Sequence, residues 1–301
     1  MRSFLLFLTF VFFFNITISQ TQKSNECKQC NYITDYYPMV YKAQLKYLEN
    51  DLDSASHYLN VVKKKCGFLN TPDILERVMY AEIQVKKQNY TEAFESLEDI
   101  LSSGFPFGYL ENNEALNELK KDKKWTKLRE LSSKVNDEKN DSFNWPLRYE
   151  IIAMVKSDQK VRSGTLDYEK MKKIDSSHQR RIKEIFETYG YPNEKLVGFS
   201  KTDEKVDITV MLMHCNDLNY FKPKLLDFIK KGECNPYTLA SMVDSNNRKD
   251  KMFTYGIYRS SDSTEIRDFH NLDTRRKSIG LRSLKNHQKT MSLLMKKYSN
   301  N

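Results

Sequence analysis

The sequence predicts a mostly α protein: a short array of helical hairpins, then an α-rich α+β domain with one small β-hairpin. Three observations carry this. Residues 43–59, AQLKYLENDLDSASHYL, align without a gap on residues 81–97, AEIQVKKQNYTEAFESL, a period of 38. Apolar residues recur at helical spacing through most of the chain after Pro146. Met252–Arg259 alternates like a strand, and Glu265–Phe269 is the segment placed to pair with it. The 301 residues, 39% hydrophobic and 30% charged, suffice for two modest domains and do not have the composition of a disordered chain.

The N-terminus, MRSFLLFLTFVFFFNITISQ, reads as a secretory signal peptide over residues 1–19. Arg2 is its basic start, and Phe4–Phe14 is apolar but too short to span a bilayer. Thr17 and Ser19 suit the −3 and −1 sites, so cleavage leaves Gln20 first. The alternative is an uncleaved anchor. No later stretch is apolar enough to cross a membrane, so no stable insertion is expected, and the protein is expected to be secreted or periplasmic. Export makes nucleic acid an unnatural partner.

Five cysteines then face an oxidising compartment. The tail, residues 20–37, holds Cys27 and Cys30 as a C-x-x-C without the strand–helix context of a redox motif. One of them bonding to Cys66 would staple the tail to the first hairpin. Cys215 and Cys234 either pair or stay buried as small hydrophobes. Charge is uneven. Residues 20–145 carry 18 basic and 20 acidic side chains, whereas residues 146–301 carry 30 and 20. The second half therefore favours a protein or other anionic partner, unless its lysines only solvate the surface.

The hairpin region is 38–135. Met39–Asn50 with Asp53–Cys66, and Pro72–Gln88 with Thr91–Ser103, are the expected helix pairs. Ala43, Ala55, Ala81 and Ala93 sit where close helices need small residues, and Leu59 matches Leu97. Gly104 ends the second pair, and Asn113–Leu119 with Trp125–Val135 closes the group. The spacing resembles tetratricopeptide repeats, and the closing segment resembles the one that ends such groups in bacterial proteins. Residues 136–146 are polar up to Pro146, which opens the next helix, and are expected as the linker.

The second domain, 147–301, opens with the helix Leu147–Arg162. Positions 151, 155, 158 and 162 form one stripe that passes from Ile151 and Val155 to Asp158 and Arg162. Charged groups on a core-facing stripe need partners. A second helix, capped by Asp175 or Ser176 and running to Tyr189, repeats the habit: His178 and Asp175 extend the stripe of Ile182, Ile185 and Phe186. Gly190 and Pro192 end it. A third helix is expected over 201–218, buried at Ile208–Met213 and ending in His214. Phe221–Lys231, Asn235–Val243 with Asp244 at its end, and a basic helix 283–298 complete the order.

Six pieces in this half occur in one order: DQKVR (158–162), IDSSHQRRIKEIFETYGYPNEKLVG (174–198), MLMHCND (211–217), YTLASMVD (237–244), YGIY (255–258) and RRKSIGL (275–281). Together they resemble an uncharacterised family of bacterial domains, frequently exported, over roughly residues 147–290. Asp158, Gln159, Arg162, Asp175, His214, Asp244, Tyr255 and Gly256 match its pattern. Met213, Ser245, Ile257, Tyr258 and His178 depart from it.

Asp158, His214 and Asp244 are the candidate catalytic groups, because carboxylates and imidazole perform acid–base work. Gln159, Arg162, Asp175, His178, Tyr255 and Arg276 are the candidate binding groups. The structural alternative is a buried ion-pair network fixing helix ends. No H-E-x-x-H or paired-histidine spacing occurs, so no metal site is expected, and no glycine-rich phosphate loop or G-x-S-x-G elbow calls for a cofactor or serine chemistry. The expectation is an exported bacterial envelope protein, a non-enzymatic protein-interaction or ligand-binding module. The alternative is a hydrolase-like enzyme built on Asp158, Arg162, His214 and Asp244.

Overall fold

The aligned segments fold as two helix pairs. A π-helical turn, Tyr32–Tyr36, runs into α1 (Tyr37–Leu48), which returns through α2 (Leu52–Cys66); α3 (Glu76–Lys86) and α4 (Tyr90–Leu101) follow. Ala43, Ala55, Ala81 and Ala93 are fully buried, as small residues at close helix crossings must be. The repeat extends to the backbone: Asn50 and Gln88, 38 residues apart, both take left-handed conformations in the inter-helix turns. Asp51 caps α2 by accepting from the Ser54 amide, worth about 1 kcal/mol. The chain is described, from a computed structural model, over residues 30–69, 74–140, 142–200, 204–248, 252–258 and 263–299. The expected signal peptide, Cys27 and the rest of the tail before Cys30 lie outside the described residues.

Two short turns, α5 (Gly108–Glu111) and α6 (Asn117–Lys120), lead to α7 (Lys123–Asn140). The polar run after Val135 therefore continues as helix to Asn140. Asn144 then caps α8 (Trp145–Lys160) by accepting from the Leu147 amide. Helices α9 (Tyr168–Tyr189), α10 (Glu194–Val197), α11 (Thr209–Leu212), α12 (Leu218–Lys231), α13 (Pro236–Asn246), α14 (Leu272–Ser278) and α15 (Leu284–Ser299) complete the chain.

Three expectations need correction. Helix α9 begins at Tyr168, capped by Asp167, so Asp175 lies inside it and caps nothing. The helix expected over 201–218 is one turn, α11. Asp207 accepts from the Thr209 amide before it and Asp217 caps α12 after it, so local carboxylates interrupt the apolar run at both ends. The β-hairpin is absent among the described residues. Only a single parallel bridge joins Phe253 to Ile266, because the amides of Thr254, Tyr255 and Ile257 are taken by a side chain instead of a partner strand.

The largest core draws on both sides of the polar run. Ile33, Tyr36, Tyr37, Val40 and Tyr41 pack in one cluster with Ile151, Ile182, Leu212, Phe221 and Leu239. Tyr37 donates to the Cys234 carbonyl at 3.0 Å. Two left-handed glycines make room for this aromatic turn. A Cβ on Gly232 would stand 2.9 Å from the Tyr32 ring, and one on Gly280 would stand 3.0 Å from Tyr37. The turn is pinned by the Cys30–Cys66 disulfide, and the Tyr32 hydroxyl donates to the Cys66 carbonyl. Cys215 and Cys234 are buried and unpaired.

The bond closes a loop with a sequence separation of 36. Loop entropy puts its contribution at about 3–4 kcal/mol. Replacing Cys30 and Cys66 by Ser should lower the melting temperature by roughly 10 °C in a calorimetric scan; an unchanged melting temperature contradicts a pinned turn.

Candidate functional site

The nine sequence-predicted residues fall into two centres. In the first, the apolar stripe of α8 delivers Asp158 to the interior, where it is fully buried. The Arg162 guanidinium stands 3.0 Å from Asp158 Oδ1 and donates to the Asp158 carbonyl. Its other amino group reaches Asp175 Oδ1 on α9 at 2.5 Å. Gln159 donates to Asp158 Oδ2 at 2.8 Å. One turn after Asp175, His178 Nε2 lies 3.0 Å from the Ser157 hydroxyl, which itself donates to the Met154 carbonyl. His214, after α11, lies in the same field. Burial and the positive charges of Arg162 and Arg248 lower its pKa, against the pull of Asp158 and Asp175. Burial likewise lowers the His178 pKa.

The second centre is Asp244 at the end of α13. Its carboxylate accepts from three backbone amides, those of Thr254, Tyr255 and Ile257, at 2.8–2.9 Å. Burial raises its pKa, opposed by those donors and by Arg276. Arg276, fully buried, donates to the carbonyls of Tyr255 and Arg282. Asp244 and Arg276 thus hold the 254–257 loop from its amide and carbonyl sides. The Tyr255 hydroxyl pKa is pushed up to about 12 by burial and by Asp244. The two centres approach each other at the end of α13, where Asn246 donates to the Cys215 carbonyl beside His214.

Both centres are paired mainly within the protein, with Asp158 Oδ1, Arg162 Nε, His178 Nδ1 and one Arg276 amino group buried without a hydrogen bond. Asp158 and Asp244 are enclosed and committed to protein donors, so neither presents a free base to a substrate. The thiols are no better placed as nucleophiles, since burial pushes Cys215 and Cys234 to about 12. Among the described residues no group of three or more His, Cys, Asp or Glu is placed to hold a metal ion.

A cavity of about 630 Å³ opens elsewhere, and none of the nine residues lines it. Its walls come from Phe105–Tyr109 on the hairpin side and from 191–200, 205–209 and 232–241 on the other. Tyr191, Thr209, Cys234 and Thr238 form its polar floor, with Thr209 Oγ1 and Thr238 Oγ1 3.0 Å apart. Its volume falls within the range of small-molecule sites. Arg148, which the sequence reading missed, supports one wall. Fully buried, it donates to the carbonyls of Val197 and Phe199 and pairs with Glu204. A signal was present: Arg148 precedes Ile151 by three on the same stripe that ends in Asp158 and Arg162.

No family model matches the chain, and no curated protein or solved structure is significantly similar to it.

Asp158→Asn removes one of two carboxylates that neutralise Arg162 and should cost about 3 kcal/mol, the low end for breaking a buried pair, because Asp175 remains. Stability should also depend on pH with a definite sign. His178 and His214 have folded pKa values below the ordinary 6.5, and His287 is lowered to about 4. The unfolded chain therefore binds these protons more readily. Their contribution is complete above pH 6.5 and is lost as pH falls from there toward 4. Denaturant midpoints at pH 7.5 and 5.0 check this. His178→Asn should flatten the difference, and a midpoint that rises on acidification contradicts the assignment.

Proposed function

We propose that this protein is an exported, non-enzymatic binding protein of the bacterial envelope, and that its ligand occupies the cavity between the Phe105–Tyr109 turn and the C-terminal half. One observation carries the reading. The nine sequence-predicted residues fall in two interior centres built on ion pairs and hydrogen bonds within the protein, while the open, aromatic-lined cavity contains none of them. The hydrophobic, signal-like start of the sequence and the Cys30–Cys66 bond support export. No helix among the described residues is long and apolar enough to cross a membrane. The helix pairs, resembling tetratricopeptide units, then act as a rigid flank of the site.

A hydrolase built on Asp158, Arg162, His214 and Asp244 finds less support, because these residues divide between two centres. Asp158 is enclosed and paired with Arg162 and Gln159, and Asp244 with three amides.

A thermal-shift screen of the chain from Gln20 onward tests the reading. A ligand at about 100 times its Kd adds about 2.7 kcal/mol, a rise of several degrees. Ser241→Trp, which fills the cavity from its wall, should abolish the shift. Asp158→Asn should melt lower yet keep the ligand-induced rise. Ligands that survive Ser241→Trp and are lost in Asp158→Asn would reverse the assignment.

A further inference from the structure

The lining of the cavity has a charge sign opposite to that of its surroundings. Residues 146–301 carry 30 basic and 20 acidic side chains. Within that basic half, the cavity wall presents Glu194, Asp207 and Glu233 against one lysine, Lys205. Scattered surface charge would give the opposite balance.

Glu194 stands out among these three. It is half-buried, and apart from its own backbone amide its carboxylate has no hydrogen-bond or ion-pair partner among the described residues. Burial and the nearby charge of Asp207 raise its pKa, against the pull of its own backbone amide and of Lys195. A half-buried carboxylate without a side-chain hydrogen-bond partner costs stability in the free protein, a cost that a cation in the cavity would reduce.

Part of the lining is aromatic. Phe105 packs against Tyr109 and Phe199, with ring centroids 5.4 and 5.5 Å apart. Tyr109 is 52% exposed, so part of its ring is left to the opening. Aromatic faces attract both apolar bodies and cations.

Resting on the reading of this cavity as the ligand site, we propose that its ligand is a small molecule with an ammonium group on an aromatic or aliphatic body. The body lies against Phe105, Tyr109 and Phe199, and the ammonium group faces Glu194 and Asp207. The basic surface of the C-terminal half plays no part in this recognition.

Three probes sharing one body separate charge from shape: tyramine carries an ammonium group, tyrosol is neutral, and 4-hydroxyphenylacetate is anionic. Isothermal titration at pH 7.5 should show tyramine binding about tenfold or more tighter than tyrosol, with 4-hydroxyphenylacetate weakest. Glu194→Gln should erase most of the tyramine preference and leave tyrosol unchanged. The same variant should melt at or above the temperature of the parent, because it removes an unpaired carboxylate rather than a structural contact. A Glu194→Gln variant that melts lower and binds tyramine normally would make Glu194 structural and overturn the proposal. Tyrosol or 4-hydroxyphenylacetate binding as tightly as tyramine, with binding lost in Ser241→Trp, overturns the charge assignment but leaves the cavity as the ligand site. Tyramine binding that persists in Ser241→Trp removes the ligand from the cavity altogether. Failure of all three probes to bind at millimolar concentration rejects the amine class.

Discussion

The fold depends on one wedge. Tyr32, Tyr36 and Tyr37 enter between the first helix pair and the C-terminal half, pinned from behind by the Cys30–Cys66 bond. Their rings pack edge to face and tilted against one another, with centroids 5.1 and 5.4 Å apart. Each hydroxyl finds a backbone partner: Tyr32 the Cys66 carbonyl, Tyr36 the Leu69 amide and Tyr37 the Cys234 carbonyl. A buried tyrosine that lost such a partner would leave a polar group unsatisfied, so the wedge fixes its neighbours as firmly as they fix it. Gly232 and Gly280 can be nothing larger while Tyr32 and Tyr37 hold these places. Tyr37 and Cys234 also line the cavity, so the element that joins the halves shapes the site.

Buried charge performs a second task, holding segments that have no regular structure. Such segments carry amides and carbonyls that need partners away from water. Asp244 supplies the acceptor for three amides of the 254–257 loop, and Arg276 supplies donors on its other side. Arg148 does the same for the carbonyls of Val197 and Phe199. Arg162 joins the end of α8 to the middle of α9. The same residue types in an open cleft would be read as chemistry. Here they replace hydrogen bonds that a sheet or a longer helix would have provided.

Much of this was legible in the sequence where a local rule decides the outcome. The 38-residue repeat and its alanines placed four helices, and Gly190 and Gly232 ended two more. The stripe from Ile151 to Arg162 correctly marked Asp158 as a buried charge, and the expectation that Cys27 or Cys30 would bond Cys66 resolves to Cys30. The reading failed where a distant group overrode a local preference. Alternation over 252–259 looked like a strand, but Asp244 takes its amides. Asp175 looked like a cap, but its carboxylate answers Arg162 while Asp167 caps the helix. The cavity was illegible for a different reason. Tyr37, Phe105, Glu194, Asp207 and Thr238 share no spacing, and only the folded chain brings them together.

The account therefore separates two kinds of polar residue: those that hold the loops, and those left facing the cavity. Hydrogen exchange read peptide by peptide, on the protein alone and with tyramine at saturation, tests that separation directly. Added protection confined to residues 105–109, 191–200, 205–209 and 232–241, with residues 154–179 unchanged, is the result this account predicts. Protection centred instead on Asp158, Arg162 and His178 would contradict it and return those residues to the role of a ligand site.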